Sequence, residues 1–445
     1  MKRLIDRHLR DWKNSPHRKP LLLRGARQVG KTYAIRQLGK QFDRLVEINF
    51  ELISEASLIF KRDLQPTRII RDLSSLLDKP IVPGKTLLFF DEIQAVPEAI
   101  LSLRYFYELM PELHIIAAGS LIDFALEQVG MPVGRVDSLH MYPLSFLEFL
   151  AATGHPLLMQ EILQHDPKRE MNAAIHNKLL GLVGEYMLVG GMPEAVGAWA
   201  EKKDPLYVAK VHQSLISTYQ QDFYKYAKKY QIKYLGLLLK EIPLFLGKPF
   251  KFASLSGGYK KRELAPCLDL LTTAGVAHRI FHASAQGHPL GAQVNLEKFK
   301  VSFLDVALAQ TVLGQSPAAW LLSPDQTLVN RGAITESFVG QELLAYGNPE
   351  PKVDLYYWHR DARGSSAEVD YVVQINGDII PVEVKSGFGS TLRSMHAFLE
   401  SHAHSPYGIR FSTHHYAVQD EIHSYPLYGI AAAVFNVSKF AEDLA

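Results

Sequence analysis

The sequence predicts an α/β fold of several domains, with an open, mainly parallel sheet near the N-terminus. Over roughly the first 150 residues, apolar runs of strand length alternate with helical patterns, as in sheets covered by helices on both faces. The chain has 445 residues, which is enough for two to four domains. Of these residues, 47% are hydrophobic and 21% are charged, a composition typical of soluble globular proteins.

Charge and cysteine content narrow the class of protein. The formal net charge is only +2, so any nucleic-acid surface must be a local patch. The single cysteine, Cys267, excludes intrachain disulfides and favours a reducing cytoplasm. The sequence shows no apolar run of membrane-spanning length and no signal-peptide pattern. We therefore expect a cytoplasmic protein with no membrane partner.

A phosphate-binding loop follows the first apolar strand. Residues 21–32 read Leu-Leu-Leu-Arg-Gly-Ala-Arg-Gln-Val-Gly-Lys-Thr, and a helical pattern comes next. Nucleotide hydrolases use this loop because its glycines let backbone N–H groups turn toward phosphates at the start of a helix. Lys31 is expected to reach the β- and γ-phosphates of ATP, and Thr32 to hold Mg²⁺. The predicted nucleotide-binding set is Gly25, Ala26, Arg27, Gln28, Val29, Gly30, Lys31 and Thr32.

Two carboxylates end the buried strand Thr-Leu-Leu-Phe-Phe-Asp-Glu at residues 86–92. Ligands of open α/β sheets bind at the carboxyl ends of the strands. We therefore predict that Asp91 organises Mg²⁺, and that Glu92 polarises the water that attacks the γ-phosphate. An Asp-Glu pair at a strand end is common by itself. Here the phosphate loop about sixty residues earlier gives the pair its interpretation.

Two later residues extend the predicted nucleotide site. Ser120 follows the apolar strand that begins at His114, so we predict that it senses the γ-phosphate from a neighbouring strand. A simple strand-end turn is the alternative. Arg135 follows a glycine in a loop and is predicted to act as an arginine finger toward a neighbouring subunit of a homo-oligomer. The alternative is a solvent-exposed loop arginine.

In this order the motifs resemble a large prokaryotic family of AAA-type ATPases. The resemblance rests on the phosphate loop, Phe-Phe-Asp-Glu-Ile-Gln, Ala-Gly-Ser, Gly-Arg, Pro-Leu-Ser-Phe-Leu-Glu-Phe at 143–149 and Val-Gly-Gly-Met-Pro-Glu at 189–194. It implies an ATPase core with a helical lid and a C-terminal domain of undefined role. We expect the core over residues 1–155 and the lid over residues 156–235, where the pattern is helical.

Residues 236–312 are predicted to form a winged-helix-like module. A helix over 264–273 leads into a strand, and the cluster Tyr-Lys-Lys-Arg at 259–262 lies where a winged helix reads bases. Pro266 places this cluster before the helix or in a separate preceding turn, because proline is tolerated only in the first helical turn. Winged modules also serve as protein–protein spacers. Upstream, lysines between 225 and 233 alternate with tyrosines, which suits a nucleic-acid phosphate path or the solvated face of a helix.

A connector over 313–331 precedes a C-terminal domain predicted over residues 325–445, which contains a hairpin. Asn376-Gly377 separates two β-rich segments, 368–375 and 378–385. Asn-Gly between apolar strands is the strongest short indication of a two-residue turn of type I′. Such a turn pairs Ile375 with the residue after the glycine and thereby determines every later pair.

This pairing brings acidic residues face to face. It places Asp370 opposite Glu383 and Glu368 opposite Lys385, with all four side chains on one face. Two carboxylates about 5 Å apart repel by roughly 3 kcal/mol at an effective dielectric constant of about 20. The pair needs either a cation between its members or a raised pKa. We predict Mg²⁺ or Mn²⁺ bound by Asp370 and Glu383, with Lys385 positioning a water or stabilising phosphate charge.

Glu336 lies on the packed face of a predicted helix over 333–344, which is unusual for a charge that serves no site. Helix Glu, strand Asp and Glu-x-Lys are similar to the PD-(D/E)XK nuclease fold. The resemblance implies a catalytic set of Glu336, Asp370, Glu383 and Lys385. Because Glu-Val-Asp replaces the family's Pro-Asp, the choice between Glu368 and Asp370 stays open. The alternatives are a salt bridge between Glu368 and Lys385, and an inactive fold that only binds.

These observations together predict ATP hydrolysis that drives or gates action on nucleic acid, with DNA favoured. The rival hypothesis is a nucleotide-controlled interaction switch, whose C-terminal domain is catalytically inactive and only recognises a partner. The sequence leaves open the choice between DNA and RNA, the oligomeric state and the pathway.

Overall fold

A computed structural model describes residues 1–130, 132–165, 169–315, 332–362, 365–385 and 392–435. Most of the predicted connector at 313–331 lies outside these residues. Among the described helices, none is both long and apolar enough to cross a membrane.

The N-terminal region alternates strands with helices as predicted. Its strands are β1 (Leu21–Arg24), β2 (Arg44–Asn49), β3 (Thr86–Asp91), β4 (His114–Ala118) and β5 (Asp137–His140). Its helices are α1 (Ile5–Asn14), α2 (Lys31–Gly39), α3 (Ala56–Arg62), α4 (Pro66–Leu77), α5 (Pro97–Leu109), α6 (Ile122–Val129) and α7 (Phe146–Ala152). The strands form one parallel sheet in the order β2-β3-β4-β1-β5.

Helices cover both faces of this sheet. Alternate strand residues point to opposite faces, so Leu87 and Phe89 join one apolar core while Leu88 and Phe90 join the other. The first core includes residues of α1, α2 and α7, and the second includes residues of α3 to α6. The predicted parallel sheet with two covered faces is confirmed.

The segment predicted to be helical is helical in the structure. It contains α8 (Pro156–Gln164), α9 (Ala173–Val189), α10 (Pro193–Lys202), α11 (Pro205–Tyr226) and α12 (Ile232–Glu241). Proline occupies the first position of α8, α10 and α11, where its missing N–H costs no hydrogen bond.

The next helix, α13 (Lys261–Thr273), corrects a prediction. The sequence placed the basic cluster before the helix, but Lys261 and Arg262 form its first turn and Pro266 lies inside it. The helix begins early because Glu263 accepts hydrogen bonds from the backbone N–H of Lys260 at 2.9 Å and the hydroxyl of Tyr234 at 2.7 Å. This cap offsets the backbone hydrogen bond that the proline removes.

Eight strands form the second sheet. Its elements are β6 (Ala277–Ala283), β7 (Val294–Phe303), β8 (Leu355–Ala362), β9 (Ser365–Ile375), β10 (Asp378–Lys385), β11 (Gly408–Ser412), β12 (Ala417–Gln419) and β13 (Ile422–Pro426). The helices between and after these strands are α14 (Val306–Val312), α15 (Gly332–Tyr346), α16 (Arg393–Ser401) and α17 (Ile430–Val434). The strand order is β12-β13-β11-β10-β9-β8-β6-β7.

The hairpin of β6 and β7, predicted as part of a separate module, extends the C-terminal sheet. β6 runs parallel to β8, with Ile280 aligned to Leu355. The predicted winged-helix module and the predicted nuclease-like domain therefore share one sheet. This arrangement brings residues of β7 to the C-terminal site.

Candidate functional site

The carboxyl ends of β1, β3 and β4 bring the predicted nucleotide residues together. Ala118, the last residue of β4, is aligned with Leu23 on one side and with Asp91 on the other. The phosphate loop therefore leaves β1 beside Ser120, while Glu92 follows on the next strand. Sequence reasoning predicted this convergence from the order of motifs.

The backbone of the phosphate loop requires its first glycine. Gly25 has φ 137°, and a side chain at this position would collide with the carbonyl oxygen of Met141. The helix α2 begins at Lys31, so its N-terminal N–H groups face the loop. The ammonium of Lys31 donates to the carbonyl oxygens of Gly25 and Ala26, at 2.8 Å each. The loop thus holds this lysine where a phosphate can replace its carbonyl partners.

Burial lowers the pKa of Lys31 to about 8, although the carboxylates of Glu92 and Asp91 act in the opposite direction. Above pH 8 the free protein therefore carries a neutral Lys31, and ATP binding must take up a proton. We expect the Kd for ATP to be flat from pH 7 to 8 and to rise about tenfold per pH unit above it. Isothermal titration calorimetry between pH 7 and 9.5 measures this. Lys31→Arg, which stays charged, should bind with no such rise, and an equal rise in that variant would exclude Lys31 as its source.

Asp91 and Thr32 offer oxygen atoms at the same place. The Thr32 hydroxyl lies 3.4 and 3.5 Å from the two carboxylate oxygens of Asp91, which also accepts from the amide of Asn49 at 3.3 Å. Burial, followed by the charges of Glu92 and Glu47, raises the pKa of Asp91. The donor set suits Mg²⁺, which binds a few protein oxygens and completes its shell with phosphate and water. In the described part of the chain, no group of three or more His, Cys, Asp or Glu residues is placed to hold a metal ion.

Gln94, which sequence reasoning did not single out, lies beside Glu92. Its amide donates to the carboxylate of Glu92 at 2.5 Å, and Glu92 has φ 52°. Gly119 gives the amide room, because a Cβ at that position would overlap its oxygen. The oxygen atoms of Gln94 and Ser120 are buried, with no hydrogen-bond partner among the described residues. The available indication was Gln94's place two residues after Glu92.

Residues distant in sequence also hold the phosphate loop. Tyr219 of α11 donates to the carbonyl of Arg27 at 2.7 Å, and Asp222 lies 3.4 Å from the guanidinium of Arg27. On the other side, Arg3 donates to the carbonyl of Val29 at 2.8 Å. Sequence reasoning predicted none of these contacts, and those from α11 join segments nearly two hundred residues apart.

Arg135 lies away from the phosphate loop of its own chain. It precedes β5, whose first residue is aligned with Leu21, the first residue of β1. The phosphate loop follows the other end of β1. The guanidinium of Arg135 lies 2.8 Å from the carboxylate of Glu108. A role as an arginine finger therefore needs a neighbouring subunit and stays a prediction.

The predicted hairpin in the C-terminal sheet is confirmed. Asn376 and Gly377 have φ 51° and 95°, the positive values that a type I′ turn needs. Pairing runs from Asp378 opposite Ile375 to Val382 opposite Tyr371, as predicted.

The backbone pairing of β9 with β10 ends at Tyr371 and Val382, and the contacts beyond this pair involve side chains. The carboxylate of Asp370 accepts a hydrogen bond from the backbone N–H of Val384 at 2.8 Å. Lys385 forms an ion pair with Glu383. The alternative salt bridge between Glu368 and Lys385 is not the contact observed, because Glu368 pairs with a different lysine.

That lysine is Lys300 of β7, which sequence reasoning missed. Its side chain is completely buried, and its ammonium lies 3.0 Å from Glu336, 2.6 Å from Glu368 and 4.0 Å from Asp370. The acids needed either a cation or a raised pKa, and Lys300 is a cation. We call the following group of charged residues the Lys300 cluster: Lys300, Glu336, Glu368, Asp370, Glu383 and Lys385.

Several groups of the Lys300 cluster also have raised pKa values. Burial, reinforced by Asp370, raises the pKa of Glu336 to about 8 and that of Glu383 to about 7. Burial lowers the pKa of Lys300, but the carboxylates around it outweigh burial and raise it above its usual value. One oxygen of Glu383 is buried without a hydrogen-bond partner among the described residues.

The predicted metal at Asp370 and Glu383 finds no support in the described residues, where no metal-holding group of three or more ligands occurs. The physical reason is Lys300. Its ammonium lies 4.0 Å from Asp370, and Lys385 pairs with Glu383, so two ammonium groups supply positive charge where the prediction placed Mg²⁺ or Mn²⁺. The predicted catalytic residues Glu336, Asp370 and Glu383 nevertheless lie in one cluster.

A second buried acid joins the C-terminal region to the AAA-like sheet. Glu342 of α15 accepts hydrogen bonds from the backbone N–H of Phe146, at 2.9 and 3.1 Å. Phe146 begins α7, whose capping residue Glu148 pairs with Arg3 at 2.8 Å. Since Arg3 also contacts Val29, a continuous set of buried contacts runs from the phosphate loop to α15. Glu336 lies on the same helix as Glu342.

Burial raises the pKa of Glu342 to about 8. A carboxyl whose pKa is raised on folding stabilises fully below its unfolded value of about 4.3, and this contribution is lost as pH rises through 8. Glu342→Gln cannot ionise and keeps one acceptor for Phe146. We therefore expect its free energy of unfolding, relative to wild type, to increase by about 1.4 kcal/mol per unit from pH 6 to 8. Urea unfolding at pH 6, 7 and 8 measures this difference. A difference that does not change with pH would contradict the raised pKa of Glu342 in the folded protein.

Comparisons with known proteins divide the chain into three matched segments. Residues 17–150 match the model of an AAA domain. Residues 181–319 and 331–430 match two further models, each described as a domain of unknown function (DUF8612 and DUF4143). The N-terminal region is therefore similar to an AAA domain. No curated protein sequence matches the chain.

Many solved structures are similar to this chain, and three of them, all at low identity, are described here. The Walker-type ATPase PABY2304 of Pyrococcus abyssi is 17% identical, with TM-score 0.44, over 69% of this chain and 94% of that one. The ORC1 protein of Aeropyrum pernix in complex with DNA is 14% identical, with TM-score 0.25, over 72% and 92%. PCH-2 of C. elegans is 13% identical, with TM-score 0.25, over 48% and 65%.

Proposed function

We propose that this chain, which carries an AAA domain over residues 17–150, binds ATP with Mg²⁺ and hydrolyses it. The observation that carries the proposal is the convergence of the phosphate loop, Asp91, Glu92 and Ser120 at the carboxyl ends of three neighbouring strands. This is where open α/β sheets bind their ligands.

Each residue has a role in the proposed reaction. Lys31 exchanges its loop carbonyls for the β- and γ-phosphates, and Thr32 and Asp91 hold Mg²⁺. The metal supplies positive charge to the phosphates when it is bound. Glu92, held by Gln94, orients the attacking water and accepts its proton. The buried hydroxyl of Ser120 gains a partner when a γ-phosphate is present.

The proposal is tested by phosphate release from ATP. We expect turnover that stops with EDTA, returns with Mg²⁺ and is lost in Lys31→Ala. Asp370→Ala should keep full turnover, because the Lys300 cluster lies on the other sheet. Turnover that survives both EDTA and Lys31→Ala would overturn the proposal.

We further propose that the nucleotide state reaches the C-terminal sheet through α15. The contacts that support this are those of Arg3 with Val29 and Glu148, and of Glu342 with Phe146. The same helix contributes Glu336 to the Lys300 cluster. A change in the phosphate loop can thus bias the position of a helix that lines the C-terminal site.

For the C-terminal region we propose recognition of a nucleic-acid partner without cleavage. The supporting observation is that ammonium groups already lie beside both acids predicted to bind metal: Lys300 is 4.0 Å from Asp370, and Lys385 pairs with Glu383. A metal-dependent nuclease is the second candidate, and the unpartnered buried oxygen of Glu383 favours it. Incubation of labelled DNA and RNA with Mg²⁺ or Mn²⁺ separates the two. Cleavage that Asp370→Ala abolishes would establish the nuclease, and intact substrates would support recognition alone.

A further inference from the structure

We propose, building on the nucleic-acid role proposed above, that single-stranded nucleic acid binds a basic and aromatic surface at the C-terminal end of α11. This surface, called the basic–aromatic surface below, consists of Tyr224, Lys228, Lys229, Tyr230, Lys233, Tyr259, Lys260 and Arg262. All eight residues are exposed.

Exposure of the tyrosine rings is the first observation. Tyr224 is 73% exposed, Tyr230 is 63% exposed and Tyr259 is 37% exposed. Tyrosine usually buries much of its ring, so the rings of Tyr224 and Tyr230 have faces available for a partner, while Tyr259 is only partly open. Unpaired bases stack on exposed aromatic rings regardless of their sequence.

The two parts of the surface adjoin in space, although they are separate in sequence. The ring centroids of Tyr234 and Tyr259 lie 5.0 Å apart, edge to face. The ammonium of Lys233 lies 4.5 Å from the centre of the first ring and 5.4 Å from the centre of the second. The segment from Lys228 to Lys233 therefore continues directly into Lys260 and the first turn of α13.

Charge supplies the second observation. The surface presents five cationic side chains: Lys228, Lys229, Lys233, Lys260 and Arg262. The nearby acid Glu263 is already engaged by the hydroxyl of Tyr234 and the backbone N–H of Lys260. Its carboxylate is therefore held as a helix cap. Alternating cations and open rings match a phosphate backbone that carries unstacked bases.

The combination favours a single strand over an acidic polypeptide or a duplex. An acidic polypeptide would use the lysines but leave the tyrosine faces without planar partners. In a duplex the bases are already stacked on one another, so the rings would contact only the backbone. A single strand can bind both kinds of residue on this surface, because its phosphates pair with the cationic side chains and its unpaired bases stack on the tyrosine rings.

The surface is also joined to the nucleotide site. The helix α11 carries Tyr219 and Asp222, which contact Arg27 of the phosphate loop, and the exposed Tyr224 lies on its next turn. Tyr226 stacks on Phe124 of α6 with ring centroids 4.7 Å apart. A strand held at the end of α11 therefore acts on a helix that already touches the phosphate loop.

The test is fluorescence anisotropy with labelled 20-nucleotide oligo(dT) and oligo(U), measured without ATP so that loss of ATPase activity cannot affect it. In Lys228→Glu/Lys229→Glu we expect at least tenfold weaker binding, and a slope of log K against log salt that is shallower by about 1.4. Tyr230→Ala should weaken binding about tenfold with an unchanged salt slope. Circular dichroism confirms that each variant is folded.

The matched control is Lys79→Glu/Lys85→Glu, which makes the same charge change in the loop before β3, where both lysines are exposed. It should weaken binding less than twofold. If the control weakens binding as much as the surface variant, or if Tyr230→Ala binds like wild type, the proposal is wrong. Competition by polyglutamate that equals competition by oligo(dT) would also overturn it, since a purely electrostatic surface would then explain the binding.

Discussion

Glu92→Gln lowers the kcat for ATP hydrolysis by about two to four orders of magnitude while ATP still binds. Glutamine has the same shape as glutamate but cannot accept a proton from water, and a positioned general base typically contributes 10²- to 10⁴-fold. The phosphate loop, Lys31 and Asp91 are unchanged, so the Kd for ATP stays within about threefold. Single-turnover phosphate release and calorimetric ATP binding, measured on the same preparation, separate the two effects.

The matched control for this loss is Glu127→Gln, the same substitution at an exposed position on α6. Its turnover should equal that of wild type. Gln94→Ala should lower kcat less than Glu92→Gln does, because it removes the residue that holds the base and leaves the base itself. Full turnover in Glu92→Gln would show that another group activates the water.

Lys300→Met destabilises the chain by about 3–5 kcal/mol at pH 8, the cost typical of removing one partner from a buried ion pair. The substitution leaves the largely buried Glu336 and the partly exposed Glu368 without their common cation. Because the pKa of Glu336 is already raised to about 8, further protonation relieves the loss at lower pH. The deficit should therefore shrink between pH 8 and pH 5, which urea unfolding at both pH values measures.

Lys298→Met tests whether the effect belongs to the cluster or to the strand. Lys298 precedes Lys300 by two residues on β7 and is exposed, so its substitution should change stability by less than about 0.5 kcal/mol. Added Mn²⁺ gives a second measurement. Stabilisation of Lys300→Met but not of wild type would show that these acids bind metal once the ammonium is removed. If Lys300→Met is as stable as wild type at pH 8, Lys300 does not neutralise the cluster.

Local spacing explains why much of the site was predictable. The phosphate loop and the Asp91-Glu92 pair follow apolar strands directly, and parallel strands deliver their carboxyl ends to one edge of a sheet. The hairpin register was equally accessible as far as Val382 opposite Tyr371, since a two-residue turn at Asn376-Gly377 sets the pairs that follow it; the predicted pairs of Asp370 with Glu383 and of Glu368 with Lys385 lie beyond this ladder. In each case a short local pattern specifies the geometry. A strand delivers the polar residues that follow it to one edge of the sheet, and a tight turn sets which side chains of its two strands share a face.

Caps and helix starts were less predictable. Pro266 suggested that α13 starts after the basic cluster, yet the cap formed by Glu263 and Tyr234 starts the helix at Lys261. The prediction used a local rule for proline. The start of the helix instead depends on a contact between α12 and α13, in which Tyr234 donates to Glu263. No local sequence pattern predicts that these two helices lie next to each other.

The sequence by itself determined the parallel ATPase-type sheet, the phosphate loop with its carboxylates, and the tight turn that sets the C-terminal acids on one face. Only the tertiary structure decided what neutralises those acids. Pairing of β6 with β8 carries β7 into the C-terminal sheet, and Lys300 arrives from a segment that the sequence assigned to another domain. The physical reason is that pairing between distant strands depends on available edges and buried area, whereas spacing along the chain specifies only neighbours.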